Sequence, residues 1–563
     1  MAQTVWEPYE WRGVLVGRDR GILFLDFASV WEGVADIVPE RDAIVQGDRR
    51  ISYRTFDEAA ARFASSIEAA GVDEADKVAL YLFNCPEYLI AQHGAFKHRA
   101  VPVNVNYRYL DDELVYLLDN SDARVLVFHT SLGACVARAR DRLSTVRLFV
   151  EVDDGGAHVD GAVGFEELLA RHEPQVRKQR SPDDLYMLYT GGTTGMPKGV
   201  MYPQGDITGR LLAAVAVSRA LAAAPTARGD IAPFVTAVNE HGVVASVSCC
   251  PLMHGTGMWV SAMPALCSGG TVVLLEGHSF DAHEVWRVVE RESAASIVIV
   301  GDPFARPMLR ALEEREAAGQ PYDTSSVRNI FSSGAVWSSE IKDGLRSRMS
   351  ANLVDSLGST EGGSIGVSGA NRDLGAATAH FTLAPDSKVV TEDGREVSYG
   401  TGEQGMLATR TAAYGYYKDP DKTAQMFIVL DGESYVLTGD WATVNEDGSV
   451  NLLGRGSMSI NSGGEKIFAE EVEEAVKRHP LIDDCLVVGI PDERFGQKVV
   501  AVIATVAPSP PKLEEINEFL RRSLAHYKLP KVVVVRETVQ RAPNGKPDYK
   551  WARDVALEEH ARQ

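Results

Sequence analysis

Short runs of β-branched and aromatic residues alternate with helical stretches through most of this chain. That alternation restricts the fold more than any other feature. KVALYLF (77–83), RVLVFH (124–129), IVIVGD (297–302) and NIFSSG (329–334) read as buried strands. Phe56, Ala60, Phe63 and Ile67 fall on one face of a helix between them. Thr55 with Glu58 three residues later is a capping-box signature for its start, and Gly71 stops it. Strands and helices taken in turn build parallel α/β layers.

The texture changes from about Pro385 to Arg455. Asp393-Gly394, Asp431-Gly432 and Asp447-Gly448 are hairpin turn pairs, with short strands WATV and VNLL flanking the last one. This stretch reads as an antiparallel, β-rich subdomain. After Gly454-Arg455, GSMSINSGGEKI is a small-residue segment suited to a hinge or linker. A compact αβ unit follows. It has a helix carrying Val472, Ala475, Val476 and His479, strands CLVVGI, VVAVIAT and VVVVR, and a helix carrying Leu513, Ile516, Phe519 and Leu520. At 563 residues the chain has room for roughly three to four structural units. The expected class is α/β. A large N-terminal domain has two α/β subdomains and the β-rich one, and a small mobile αβ domain closes the chain. The expected boundaries are an extension at 1–25, carrying Trp6 and Trp11 without a clear period, then 26–455 and 456–563.

Charge and cysteine usage exclude several functions. The chain has 57 basic and 78 acidic residues, a net charge of −21. A general nucleic-acid binder needs a basic face that displaces counterions, and an anionic membrane surface would be repelled. The last unit is nearly balanced in charge, so it is the one that approaches a polyanion without a large repulsive field. No apolar stretch is long enough to span a membrane, and the best one, Leu211 to Ala224, is broken by Ser218 and Arg219. The first residues, MAQTVWEPYEWRG, contain Glu7 and Glu10 and do not form a signal peptide. Six cysteines show no CxxC spacing and 13 histidines no HExxH, so the thiols read as reduced, small core residues. A soluble, acidic, cytoplasmic enzyme is the expectation.

LYTGGTTGMPKGVM (188–201) is the strongest local motif. Gly191, Gly192 and Gly195 let backbone N–H groups turn toward an anion; Thr193 and Thr194 add hydroxyl donors, and Lys198 adds charge. The pattern GxxxxGK[ST] cannot be laid over it, so it is a phosphate-cradling loop of another kind. A solvated turn with a stray lysine is the bland alternative, but it does not account for three glycines and two threonines in so short a space. A second motif, GGSIG (362–366), formally fits the GxSxG nucleophile elbow of α/β-hydrolases. That elbow needs a strand before Ser364 and a helix after it. VSGANRD, which follows, is turn-like, so the match reads as a decoy.

The glycine loop resembles the phosphate loop of adenylate-forming enzymes: acyl-CoA synthetases, luciferase-like ligases and peptide-synthetase adenylation domains. Gly191 replaces their usual serine. Further segments of that family follow in order, so the resemblance covers about residues 26–555. It implies that Thr190 to Gly195 and Lys198 hold the phosphates of ATP. In DSLGSTEGG (355–363) it implies that Thr360 contacts the α-phosphate and Glu361 holds Mg²⁺, which suits a hard cation's demand for carboxylate oxygen. Gly334 and Ala335 of SSGA, with Ser356, Leu357 and Gly358, fall where the family contacts the nucleotide. Leu357 stands where tyrosine is common, so aromatic stacking on adenine is lost. Asp440 of TGD and Arg455 of LGRG take the ribose positions. Lys546 of RAPNGKPDYK is the aligned C-terminal lysine, whose ammonium stabilises negative charge built on the α-phosphate. Gly463 and Gly464 take the glycine loop that covers the CoA channel in the second step, and Ser457 takes the hinge position.

Gly191, Leu357 and Ser457-Met458 depart from the broad family but resemble its actinobacterial subgroup that activates the cholesterol side chain. So do NVNYRY (104–109) and GKPDYKWA (545–552). The implied reaction has two steps: a carboxylate attacks ATP to give acyl-adenylate and pyrophosphate, and CoA then gives the thioester and AMP. The resemblance also implies that the C-terminal domain rotates between the steps, and it allows a homodimer. His254 of PLMHGTGMW aligns with the gate beside the acyl and CoA channels; a hydrogen-bonded core histidine is the competing reading. Small residues such as Gly242, Ala245, Ser246, Gly255 and Gly257 leave room for a bulky hydrophobic acid, a steroid side-chain acid first and a fatty acid second. No aspartate lies in 236–260 to pair an α-amino group. Two other functions compete: a free-standing adenylation enzyme that loads a carrier protein, although no carrier domain follows residue 563, and a non-catalytic nucleotide-binding protein.

Overall fold

A computed structural model describes residues 25–190, 196–240, 242–335, 337–368, 380–455, 460–462, 465–492, 496–506, 509–521, 524–542 and 545–562. The architecture is α/β. One sheet is wholly parallel, in the order Val101–Asn104, Lys77–Tyr81, Ala123–His129, Leu148–Val152, Val163–Gly164. The crossover between its first two strands is the helix Pro86–His98, in which every residue is buried. It is covered on all sides, so its sequence shows no amphipathic period.

A helix at Tyr53–Ala69 packs against that crossover helix. It starts earlier than the Thr55–Glu58 signature suggested. Ser52 is the N-cap and accepts from the Thr55 N–H at 3.2 Å. Tyr53 is buried and donates its hydroxyl to the Gly270 carbonyl at 2.7 Å, which places it inside the helix. Glu58 instead pairs with Arg62 one turn on, at 2.9 Å.

The second sheet has 14 strands and changes character along its width. Asp42–Gln46, Thr271–Leu274, Ala245–Ser248, Ser296–Ile299, Asn329–Ser333 and Asn352–Ser359 pair in parallel. From Asn352–Ser359 outward, through Gly363–Ser368, His380–Leu383, Val450–Arg455, Glu433–Val444, Gln404–Arg410 and Ser387–Val390, every pairing is antiparallel. This second arm is the β-rich region expected from the turn pairs. Leu430 pairs with Glu433, and Asp431 and Gly432 between them have φ of +51° and +80°. Two positive φ values in a two-residue loop make a type I′ turn, whose twist matches that of the strands. Ser364 lies inside Gly363–Ser368, exposed and paired with Gly358 across an antiparallel ladder, so the strand–turn–helix elbow is not formed there.

A small antiparallel sheet joins Leu185–Thr190, Lys198–Pro203 and Gly415–Tyr416. The C-terminal residues form a five-stranded sheet. The linker expectation is corrected in part: Ile460–Ser462 and Glu465–Ile467 pair as strands of that sheet. The helix Ala469–Lys477 ends before His479. A last helix, Tyr549–Arg562, was not anticipated, because only Ala552, Val555 and Ala556 of it are buried. All six cysteines are buried, unbridged thiols. Among the described residues, no helix is long and apolar enough to cross a membrane.

Candidate active site

The sheet changes from parallel to antiparallel at Asn352–Ser359, and the motif residues gather at the carboxyl end of that strand. Ligands bind outside the carboxyl ends of strands in open α/β sheets, where the topology switches. Ser333 lies opposite Ser356 in the parallel register, so Gly334 and Ala335 sit beside Leu357 and Gly358. Thr360 and Glu361 form the turn that follows.

That turn is held from three directions. The Tyr202 hydroxyl donates to the Thr360 carbonyl at 2.5 Å, and the Thr411 hydroxyl to the Glu361 carbonyl at 2.6 Å. The Tyr416 hydroxyl donates to Glu361 Oε1 at 2.8 Å. Burial first, then the Glu361 carboxylate, hold the Tyr416 hydroxyl protonated well above the ordinary range. Lys198, at the far end of the glycine loop, reaches the same place. Its ammonium pairs with Asp419 Oδ2 at 2.5 Å and lies 5.7 Å from the Tyr416 ring centre. Asp419 also caps the helix Pro420–Met426 through the Lys422 N–H. The loop thus joins two antiparallel strands, Leu185–Thr190 and Lys198–Pro203, where a Walker loop would run into a helix.

His254 and Lys546 meet near Gly334. The helix Asp302–Ala317 carries Arg310, which pairs with Asp483 of the C-terminal unit at 2.7 Å. A Cβ on Gly545 would lie 3.3 Å from Pro303. Docked there, Lys546 comes to Gly334, whose φ is +96°; a Cβ on Gly334 would stand 3.9 Å from Lys546 Cε and 3.8 Å from Thr256 Oγ1. Thr256 Oγ1 donates to the Ser333 carbonyl at 3.4 Å. Burial, and then the Lys546 ammonium, push the His254 imidazole down to about 3, so it is neutral at physiological pH. Its Nε2 is buried without a hydrogen-bond partner among the described residues. A satisfied core histidine would not leave that atom bare.

His254 leads into a π-helix, Thr256–Ala262, a rare conformation often found at functional sites. A Cβ at Gly257 would fall 2.3 Å from the Pro251 carbonyl oxygen, so only glycine allows this turn to close. Trp259 on the π-helix donates its indole N–H to the Tyr186 hydroxyl at 3.1 Å and stands edge-on to Tyr202. Beneath the site, Lys342 and Asp355 form a buried pair at 3.3 Å. Burial outweighs the lysine and pushes the Asp355 carboxyl up to about 6.

The structure therefore brings Thr360, Glu361 and Lys198 together through Tyr416, and His254, Gly334 and Lys546 together through Thr256. Leu357 is partly buried against the β-rich core that includes Ile365 and Phe381. Asp440 is buried inside Glu433–Val444, opposite Arg455 in register. Gly191, Gly192, Thr193, Thr194, Gly195, Ser457, Gly463 and Gly464 lie outside the described residues. Tyr202, Thr256, Thr411, Tyr416 and Asp419 were missed, since no short motif marks a residue that acts through a partner far along the chain.

Comparison with known proteins gives matches along most of the chain. The family described as AMP-binding enzyme matches residues 31–417, and AMP-binding enzyme C-terminal domain matches 471–546. A 3-oxocholest-4-en-26-oate–CoA ligase of Rhodococcus rhodochrous is 38% identical over 540 residues, covering 94% of this chain and 96% of that protein. A medium/long-chain-fatty-acid–CoA/3-oxocholest-4-en-26-oate–CoA ligase of Mycolicibacterium smegmatis is also 38% identical, covering 95% and 97%. Among solved structures, an anthranilate CoA ligase in complex with anthranoyl-AMP superposes with a TM-score of 0.80 over 96% of this chain and 98% of that one, at 21% identity.

Proposed function

The chain belongs to the AMP-binding enzyme family, and from that premise we propose how its site works and what it activates. It is an AMP-forming acid–thiol ligase that uses ATP, Mg²⁺ and CoA. The carboxylate attacks the α-phosphorus and pyrophosphate leaves. The thiol of CoA then attacks the acyl carbon and AMP leaves. Thr190, the glycine loop and Lys198 hold the phosphates, with Thr360 beside the α-phosphate. Glu361 fits a hard cation: it is a partly exposed carboxylate with one oxygen oriented by Tyr416. Mg²⁺ bound there supplies charge neutralisation on the phosphates.

Lys546 stabilises the negative charge that grows during the first step. The observation that carries this assignment is its arrival at Gly334, where a Cβ would stand 3.9 Å from Lys546 Cε and 3.8 Å from Thr256 Oγ1. Ser356 to Gly358 with Gly334 and Ala335 line the base, and Asp440 with Arg455 the ribose. Gly463 and Gly464 serve the second step. The extension 1–25, the adenylation domain 26–455 and the mobile domain 456–563 are the units of this proposal.

The acid is a bulky hydrophobic one, a steroid side-chain acid first and a medium- or long-chain fatty acid second. The relatives' named substrates support this, as does the lack of an aspartate in 236–260. A buried, unpaired ammonium is costly, so amino acids are rejected. CoA-dependent AMP formation is measured with a steroid side-chain acid, palmitate, octanoate, acetate, benzoate and phenylalanine. Preference for acetate or phenylalanine overturns the proposal, and AMP release that needs a carrier protein in place of CoA supports the loading reading. Cytoplasmic placement is supported by the unbridged thiols. Homodimer formation is read from sedimentation of the purified chain.

A further inference from the structure

Two asparagines, one ending a strand of the parallel sheet and one in the bend after its neighbouring strand, hold the backbone on both sides of the site. Asn104 is the last residue of its strand and is buried. Its Oδ1 accepts from the Tyr189 N–H at 2.7 Å, and its Nδ2 donates to the Tyr189 carbonyl at 2.8 Å. The same nitrogen donates to the Met253 carbonyl at 2.7 Å. Leu185–Thr190 is an edge strand of its small sheet. The two-point pairing with Tyr189 therefore gives that edge the hydrogen bonds that a neighbouring strand would supply. Asn84 does the same for the segment before His254. Its Nδ2 donates to the Cys250 carbonyl at 2.9 Å and its Oδ1 accepts from the Leu252 N–H at 2.7 Å, straddling Pro251. The Asn84 carbonyl is itself fixed by Gln46 Nε2 at 3.0 Å.

The positions reached are the informative part. Tyr189 immediately precedes Thr190, and Met253 immediately precedes His254. One carboxamide thus spans the strand that enters the phosphate loop and the segment that bears the histidine. A primary amide offers two N–H donors and an acceptor in one plane, and Asn104 uses both donors. An apolar side chain of the same size would fill the space but leave two carbonyls and one N–H buried without partners.

We propose that Asn104 is a positioning residue for adenylation: it sets the separation between the ATP side and the carboxylate side of the site. Asn84 holds the carboxylate side alone. This rests on the reading above of what each side binds. It makes the two residues separable in kinetics. Loss of Asn104 misaligns both reactants, and small misplacements of reacting groups are expensive in rate. Loss of Asn84 loosens only the acid.

The test uses the full chain, acid-dependent ATP–pyrophosphate exchange and thermal unfolding on Asn104→Leu, Asn104→Asp and Asn84→Leu. Asn104→Leu is expected to lower kcat by on the order of 100-fold per folded molecule. Asn84→Leu is expected to raise KM for the acid by about tenfold while KM for ATP stays within about twofold. If Asn104→Leu does not fold, Asn104→Asp keeps the acceptor for the Tyr189 N–H and removes the donors, and the same fall in kcat is expected of it. A loss that merely follows the folded fraction overturns the proposal, as does a rise in both KM values for Asn84→Leu. Wild-type exchange with the acid panel tests the functional reading separately, so its failure is distinguishable from failure of the ratios between variants.

Discussion

Removing the Tyr416 hydroxyl tests the proposed cation site at Glu361 without disturbing its packing. Tyr416 is buried; its ring stands edge-on to Phe427 at 84°, with centroids 5.8 Å apart. Phenylalanine keeps that contact and the ring under Lys198. What is lost is the bond to Glu361 Oε1 at 2.8 Å. A hydrogen bond to a charged group contributes about 1.5–3 kcal/mol. Glu361 is partly exposed, so water replaces part of the loss and the low end applies, about tenfold in binding. The carboxylate then samples more orientations, and an ordered cation needs more metal to fill its site. The assay is pyrophosphate exchange against Mg²⁺ concentration at saturating ATP and acid, with Mn²⁺ binding read directly by electron paramagnetic resonance. Tyr416→Phe should move both midpoints upward by about tenfold, restore most of kcat at high Mg²⁺ and leave Tm nearly unchanged. Unchanged metal midpoints with a lowered kcat would refute the reasoning, since Tyr416 would then act on something other than the orientation of Glu361.

Other substitutions read other parts of the site. Lys546→Ala should cut adenylation by on the order of 10²–10³-fold, while thioester formation from preformed acyl-adenylate and CoA falls far less; equal losses in the two half-reactions would remove the role given to this lysine. Ser364→Ala should leave turnover nearly intact, because Ser364 lies within a paired strand; ATP-independent ester hydrolysis abolished by this change would establish a hydrolase instead. Glu473 is buried, accepts from the Val487 N–H at 2.8 Å, and burial pushes its carboxyl up to about 8 against the pull of Lys477. The folded chain therefore keeps a proton that the unfolded chain releases, so the stability tied to Glu473 is full below about pH 4.5 and is lost progressively as pH rises from there to about 8. That loss is on the order of 3 kcal/mol between pH 5 and 9 in the wild type and should be absent in Glu473→Gln, measured as Tm across that range. Parallel Tm curves for the two proteins would show that Glu473 is not the group responsible.

What the chain reveals locally and what it hides follow from how far apart the interacting residues lie. The type I′ turn at Asp431-Gly432 was legible because its backbone demand is met by two adjacent residues. The loop residues and Glu361 were singled out because linear motifs carry them, and of these the structure describes Thr190, Lys198 and Glu361. Tyr416 was not, for it meets Glu361 across 55 positions, and Asn104 meets Tyr189 across 85 and Met253 across 149. The start of the Tyr53–Ala69 helix was misplaced because two hydroxyl residues compete as caps, and the choice fell to the burial of Tyr53 against the distant Gly270 carbonyl. The same distance separates what is known of the acid from what is not. Small residues around His254 are visible in the linear sequence, but the wide turn of Thr256–Ala262 leaves no room for a Cβ at Gly257 beside the Pro251 carbonyl, and Asn84 holds the flanking backbone from the bend between a distant strand and helix. If the acid binds beside His254 as proposed, Asn84→Leu should shift acid preference across the carboxylate panel, and an unchanged preference would separate this backbone from the acyl site.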